Sequence, residues 1–524
     1  MCLALCSACG NAEQTAPSSN ANASNNAAAS NTVPADNGTP AAATDNEEDE
    51  AEINIALMSL APIDQAASAA VVDAVNAYTE KDINVHVNIK WYDAATYGTQ
   101  VPMSIQANEP LDIIMFTPVP GTSYTSYRSA NQLMDLRELL EEYGQTIVEI
   151  EGDLLKGTSY GDAIYGITHY SSKTGFAKVI VRKDLADAAG VTEDLLAAKS
   201  WSEIRAAFEK ITAETGMPAL VNSDAQGNVM YPRPFMPNGD LFSDAFWYDN
   251  LGDGYQLIFV DPATDTIQSF FDSDYFTDMC QRVSDWYKAG LVYKDAATAQ
   301  EYGDTLVKAG IGYAQIRATE LGIIESSEAI TGYELLGVDI TQSKIGTNSC
   351  TKFGYAIPVT SREPEAAMRY LNYIYENGAV LDLLTWGIEG RDWVLNDKGE
   401  ATYPEGVTAD TVPYHTADFL YGDQMLITPW EGSPENLREK QQIEMDNAEV
   451  SKYMGFTLNT DGLENLITAC NNVRLQYDAT LNSGSSPDWE GTLASFRKDL
   501  ADAGIQDLIT AYQAQLDQWL ADNG

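Results

Sequence analysis

From Ile53 onward the chain alternates between two hydrophobic rhythms, and ahead of it there is neither. Ile53–Leu57 is a short apolar strand that runs into a loop with Ser59, Pro62 and Asp64. Asp64 is placed to cap a following helix, on which Val71, Val75 and Tyr78 recur at helical spacing. Val85, Val87, Ile89 and Trp91 then alternate with His86, Asn88 and Lys90, the signature of a half-buried strand. Thr99–Ala107 reads as a second helix, broken by Glu109-Pro110. Leu111–Phe116 is a near-continuous apolar run, as in a parallel strand covered on both faces. Strand, helix, strand, helix, strand predicts a doubly wound α/β sheet. Such sheets bind ligands beyond the carboxyl ends of their strands. Those ends carry Ser59, Trp91, Tyr92 and Thr117-Pro118, with Tyr124 and Tyr127 close behind.

The rhythm continues. Ser200 and Glu203 form a capping box for a helix with Ala206, Phe208 and Ile211 on one face. Gly216-Met217-Pro218 ends that helix before an apolar strand, Ala219–Val221. An irregular aromatic-rich stretch follows, with Tyr231, Arg233, Phe235, Phe242, Phe246, Trp247 and Tyr248. Tyr275–Ala289 and Glu363–Asn377 read as helices, and so does most of the last hundred residues. About 470 residues lie beyond Ile53, too many for one compact core, so two large lobes are expected.

Charge narrows the partners. A formal net charge of −47 excludes nucleic acid, whose phosphates demand clustered Lys and Arg, and disfavours a polyanionic ligand. Beyond the leader only Cys280, Cys350 and Cys470 remain, far apart and without zinc or thioredoxin spacing. Each is read as a small buried residue, with a single disulfide as the alternative.

The start of the chain has its own logic. Met1–Leu5 looks like the tail of a secretory h-region without its basic n-region, so a start codon upstream is expected. Ser7-Ala8-Cys9-Gly10 resembles the lipobox of bacterial lipoproteins, and Cys9 is the residue expected to be acylated. Cys6 is the competing register, disfavoured because bulky Leu5 would precede the cut. Two acyl chains suffice for stable anchoring where one does not. Residues 10–52 hold almost nothing that builds a core and are expected to be a disordered tether. About forty flexible residues reach on the order of 35 Å.

Several motifs then fall in order. Asp162–Ile167 leads into Thr168, Val179–Leu185 follows, and Ser200-Trp201-Ser202-Glu203-Ile204 opens a helix. Thr305–Gln315 ends near Arg317, Tyr355-Ala356-Ile357-Pro358 forms a returning strand, and Trp386–Trp393 reads Trp-Gly-Ile-Glu-Gly-Arg-Asp-Trp. Together with Tyr403-Pro404-Glu405-Gly406, these resemble the extracellular solute-binding lipoproteins of ABC importers, of the large oligosaccharide-binding type. The resemblance implies a two-lobed periplasmic-binding-protein-like fold, with discontinuous lobes joined by a hinge and a C-terminal helical extension. It implies residues 53–168 and 347–385 in lobe 1, and 169–346 and 386–524 in lobe 2. The hinge is expected at Thr168–Ser171, Gly346–Lys352 and Ala379–Trp386.

Catalytic constellations are not found. There is no Gly-x-Ser-x-Gly elbow, no His-Glu-x-x-His and no phosphate-cradling loop, and three histidines leave little for a triad. Of these, His169 is the one expected near a ligand. Asn222–Gly227 begins like a calcium loop, but Arg233 stands where the bidentate Glu belongs, so a turn is expected and no metal or cofactor. Sugar binding calls for aromatic faces and planar polar groups in a concave site. The expected ligand residues are Trp91, Tyr92, Tyr124, Tyr170, Tyr231, Arg233, Trp247, Arg317, Trp386, Glu389 and Arg391. Trp91 fits core packing equally well, and Glu389 and Arg391 could pair within their loop. The expected protein is a monomer held by its lipid at the outer face of the cytoplasmic membrane. It would deliver an oligosaccharide to the transmembrane subunits of an ABC permease. A peptide-binding protein of the same fold, an extracellular glycoside hydrolase and a surface adhesin are the alternatives.

Overall fold

The computed structural model describes residues 50–119, 121–222, 235–237, 239–247, 249–319 and 321–523. Two large hydrophobic cores account for most of its buried apolar side chains. The first is built on β1 (Ala51–Ser59), α1 (Gln65–Ile83), β2 (Val85–Asp93), α2 (Ala94–Gln106) and β3 (Ile113–Phe116). β1 lies parallel between β2 and β3, and Gly354–Ala356 and Ile167–Thr168 extend the sheet antiparallel beyond β3. Asp64 caps α1 by accepting from the amides of Ala66 and Ala67. α2 starts five residues before the expected Thr99, because Asp93 caps it through the Thr96 amide at 2.9 Å. All of β3 is buried. Just before it, the buried Asp112 accepts from the Asn54 amide, the Ser361 hydroxyl and the amides of Arg362 and Glu363, which ties the returning chain to the sheet.

The second core surrounds a sheet of three antiparallel strands in the order Ala314–Thr319, Phe176–Arg182, Leu335–Asp339. Leu220 bridges to Ala314 and Val292 alongside it. Ser200 caps the helix Trp201–Thr215 through the Glu203 amide, and Trp201, Phe208 and Trp286 meet edge to face beneath it. The C-terminal helices Glu464–Asn482, Trp489–Asp502 and Ile505–Asn523 belong to this core. Arg497 donates to the Phe271 carbonyl, and Gln513 brackets the turn at Asp265–Ile267. Cys280, Cys350 and Cys470 are all buried.

Two boundaries differ from expectation. Residues 386–427 were expected in lobe 2, yet Trp386, Trp393, Tyr414, Tyr421 and Ile427 are buried in the first core. The helix Gly378–Trp386, expected as a hinge crossing, packs there through Val380, Leu381 and Leu384. Its apolar side chains recur on one face and need a core to cover them, which a hinge strand cannot provide. The third passage between the cores lies instead between Met445 and Tyr453. The three crossing segments hydrogen-bond side by side. Gly175 and Lys344 exchange backbone bonds at 2.8 and 3.1 Å, and Lys344-Ile345 pairs in parallel with Glu449-Val450. A small apolar cluster of Ile345, Cys350 and Met454 sits against this ribbon.

Candidate functional site

The carboxyl edge of the first sheet is where the doubly wound pattern points, and its aromatic groups are of two kinds. Some are locked. Tyr124 is fully buried, donates its hydroxyl to the Thr158 carbonyl at 2.6 Å and meets Phe116 edge to face; it is a core residue and not a ligand contact. Tyr127 is buried beside it. Others are half-buried at the edge. The Trp91 indole donates to the Tyr421 hydroxyl at 3.2 Å and meets Tyr414 edge-on at 5.7 Å. Tyr92 leans on the buried Tyr97 with the Lys90 ammonium 4.5 Å over its ring.

The excursion after Trp386 adds rings to the same edge. The Asp64 amide donates to the Pro413 carbonyl at 3.1 Å, which holds this loop against the carboxyl end of β1. Trp386 is the floor, 4% exposed, its indole donating to the Thr428 carbonyl at 2.9 Å. Thr428 is fixed in turn through its amide and hydroxyl by Asp382. His415 lies 4.9 Å from Trp386 and 4.6 Å from Trp430, and Tyr403 closes the group at 4.7 Å from Trp430 and 5.6 Å from His415. Tyr403, His415 and Trp430 are each partly exposed. Burial pushes the His415 imidazole down to about 4, against the opposing pull of Asp418 and Asp392, so the ring is neutral at physiological pH. Sequence reasoning did not bring His415 and Trp430 to this edge. They sit on irregular backbone, where no periodicity marks them. Tyr403 carried only a motif match.

The remaining expected residues divide. Glu389 is exposed. Arg391 forks onto the fully buried Asp392 at 2.9 and 2.6 Å and reaches the Ala67 carbonyl, so it pins its loop to α1 and does not pair with Glu389. Arg317 of the second lobe is half-buried and held by Asp304 at 2.9 Å and Ser327 at 3.3 Å. Tyr170 lies on the first crossing and donates its hydroxyl to Gln442 at 3.2 Å. Trp247 lies on a strand paired with Phe235. Tyr231, Arg233 and most of the turn expected after Asn222 fall outside the described residues, as does Cys9.

His169 is not at the edge. It is fully buried in the hinge, 4.4 Å from the Tyr355 ring. Burial, aided by the nearby Lys173, holds its protonation well below the usual range. Around it stand other buried polar groups. Burial raises Glu151 to about 8, countered by Lys173; it raises Asp423 to about 6; and it lowers Lys173. Tyr375 donates to the Thr168 carbonyl and touches Glu151 at 3.4 Å.

Beside the hinge ribbon a cavity of about 790 Å³ opens between the helix Leu437–Asn447 and the second lobe. Lys440, Ile443 and Glu444 line one side; Phe176, Lys178 and Leu321 line the other. Lys178 pairs with Asp339 and Lys344 with Glu449, and Ser343 donates to Glu444, so most of its charge is internally balanced. The volume is that of a small-ligand site. At the far, amino end of the first sheet, His86 Nδ1 and Glu80 Oε1 are 2.7 Å apart with Glu50 near them, an exposed group on the side away from the aromatic edge.

Comparison with known proteins gives this geometry a context. The family profile of bacterial extracellular solute-binding proteins matches residues 60–380, and a domain of unknown function matches residues 452–521. A carbohydrate ABC transporter substrate-binding protein of Streptococcus pneumoniae is 21% identical over 459 residues, covering 85% of this chain and 87% of that protein. The crystal structure of the N-glycan transport solute-binding protein of Streptococcus pneumoniae superposes with a TM-score of 0.74 at 16% identity, over 90% of this chain and 100% of that one. An ABC-transporter-associated solute-binding protein of Bifidobacterium longum infantis, described as HMO-binding, superposes with a TM-score of 0.60 at 14% identity, over 90% of this chain and 99% of the other. At these identities the structural likeness is one of fold.

Proposed function

We propose that this chain, which belongs to the family of bacterial extracellular solute-binding proteins, captures an oligosaccharide between its lobes and presents it to an ABC permease. The observation that carries the reading is the group of partly exposed rings, Tyr403, His415 and Trp430, standing on a rigid floor at the carboxyl edge of the first sheet. Aromatic faces cover the C–H surface of a sugar, and their neutral polar edges meet its hydroxyls. The glycan- and carbohydrate-binding relatives support the same ligand class. Trp91 and Tyr92 continue the surface on the first lobe.

The three hydrogen-bonded crossings are the pivot. Lobe 1 comprises residues 53–170, 354–445 and the excursion they contain; lobe 2 comprises 176–340 and 453–524. Ligand contact with both lobes shifts the population toward a closed form. Acylation at Cys9 anchors the protein at the outer face of the cytoplasmic membrane; the tether expected over residues 10–52 ends earlier, since Ala51 and Glu52 already pair with Val85 and His86 in the first sheet. The protein binds without turnover.

Titration calorimetry with neutral oligosaccharides, paired with small-angle scattering, tests this. Saturable heat with a fall in radius of gyration is the expected result. Neither heat nor compaction across such a panel, or the appearance of new reducing ends, would overturn it.

A further inference from the structure

We infer that Tyr403, His415 and Trp430 form one subsite that takes an uncharged hexose unit and turns away acidic sugars, an inference that rests on the oligosaccharide reading above. Three observations carry it. The rings pack against one another, with centroids 4.6 to 5.6 Å apart, over a Trp386 floor that Thr428 and Asp382 hold in place, and each keeps part of its surface exposed. Trp430 is set by backbone bonds on both sides, Ala401 to the Pro429 carbonyl and Glu431 to the Ala401 carbonyl, so its face is presented without a change of fold. The loop then runs toward the second lobe, where a side chain at Gly322 would meet Pro434 at 3.8 Å. The subsite therefore lies where the two lobes approach each other.

Charge decides which sugar fits. Glu389, Glu405 and Glu431 are exposed on the same loops, and Glu431 accepts from the Thr402 hydroxyl. The arginines of this region are engaged, Arg391 by Asp392 and Arg438 by Asp418 at 2.6 Å. His415 stays neutral, since burial holds its protonation near 4, and its Nδ1 has no protein partner. A neutral imidazole serves a hydroxyl as donor or acceptor and offers a carboxylate no positive charge. A uronic or sialic acid would meet like charge on the rim, where the nearby Arg391 and Arg438 already hold Asp392 and Asp418.

The test uses the full chain and two sets of probes: maltotetraose, mannotetraose and chitotetraose against tetragalacturonate and sialyllactose, by calorimetry. At least one neutral probe is expected to bind, and each acidic probe at least about tenfold more weakly. For the neutral binder, Trp430→Ala should weaken affinity about thirtyfold or more, the scale of a central aromatic anchor. His415→Phe keeps a ring against Trp386 and removes both nitrogens, and should cost about tenfold. Thermal melts show whether each variant is folded; Trp430→Leu replaces Trp430→Ala if the latter is not. A neutral probe whose affinity ignores both substitutions, or a preference for the acidic set, overturns the subsite and leaves the capture reading standing. If neither set binds, the capture reading fails and the subsite with it.

Discussion

The hinge interior and the aromatic rim of the first lobe each hold a histidine among rings, with opposite surroundings. His169 is sealed beside Tyr355, near Glu151, Lys173 and Asp423, all buried. His415 is partly exposed, and its near neighbours are Trp386, Trp430 and Tyr403. Burial drives both imidazoles toward the neutral form. In the hinge that neutrality comes with the buried Glu151 and Asp423 carboxyls raised toward the physiological range. On the rim the ring is neutral as well, and its close contacts are other rings. A shifted histidine is therefore read from its neighbours, and its own shift does not decide between pivot and binding surface.

The largest expected effect tests whether the rim depends on its floor. Trp386→Ala removes a ring that is 4% exposed and should destabilise the fold by about 3–5 kcal/mol. Urea unfolding followed by circular dichroism measures it, and a loss below 1 kcal/mol would mean the rim stands on other contacts.

The next addresses the hinge. Glu151 has a folded value of about 8 against 4.5 for the free group, so the folded state holds its proton more tightly than the unfolded chain. Its stabilising contribution is complete below pH 4.5 and is lost as pH rises to 8. Glu151→Gln keeps the neutral shape and should remove that loss. Wild type and variant should be close at pH 5, with the variant more stable by on the order of 2–4 kcal/mol at pH 8. His169 acts on the other side, since the unfolded chain takes up a proton below pH 6.5 and the folded one does not. Parallel stability curves for wild type and Glu151→Gln would show that Glu151 is ionised in the fold.

The smallest separates support from binding. Arg391→Ala leaves the fully buried Asp392 with the Ile388 amide as its remaining hydrogen-bond donor and should cost about 2 kcal/mol. Its effect on affinity for a neutral oligosaccharide should stay within about twofold. A large loss of affinity with unchanged stability would return Arg391 to the ligand.

Much of the frame was legible in the residues. The alternation from Ile53 to Phe116 predicted the parallel β1, β2 and β3, and the polar residues at Asp64 and Ser200 predicted where helices begin. Tyr124 misled, because a tyrosine at a strand end looks the same whether its hydroxyl meets solvent or, as here, the Thr158 carbonyl. The Glu389–Arg391 stretch misled for a related reason: Arg391 chose the adjacent Asp392, which the fold buries.

What the sequence determined by itself was local: strand and helix periods, their caps, and the family motifs that name a two-lobed binding protein. These depend on neighbours a few residues apart, and spacing along the chain records them. The tertiary structure alone decided which lobe owns residues 386–427, that the third crossing lies between Met445 and Tyr453, and that Tyr403, His415 and Trp430 pack into one group. Those facts depend on contacts between segments far apart in the chain, made by irregular loops whose side chains follow no period. Only packing against the first core brings them together.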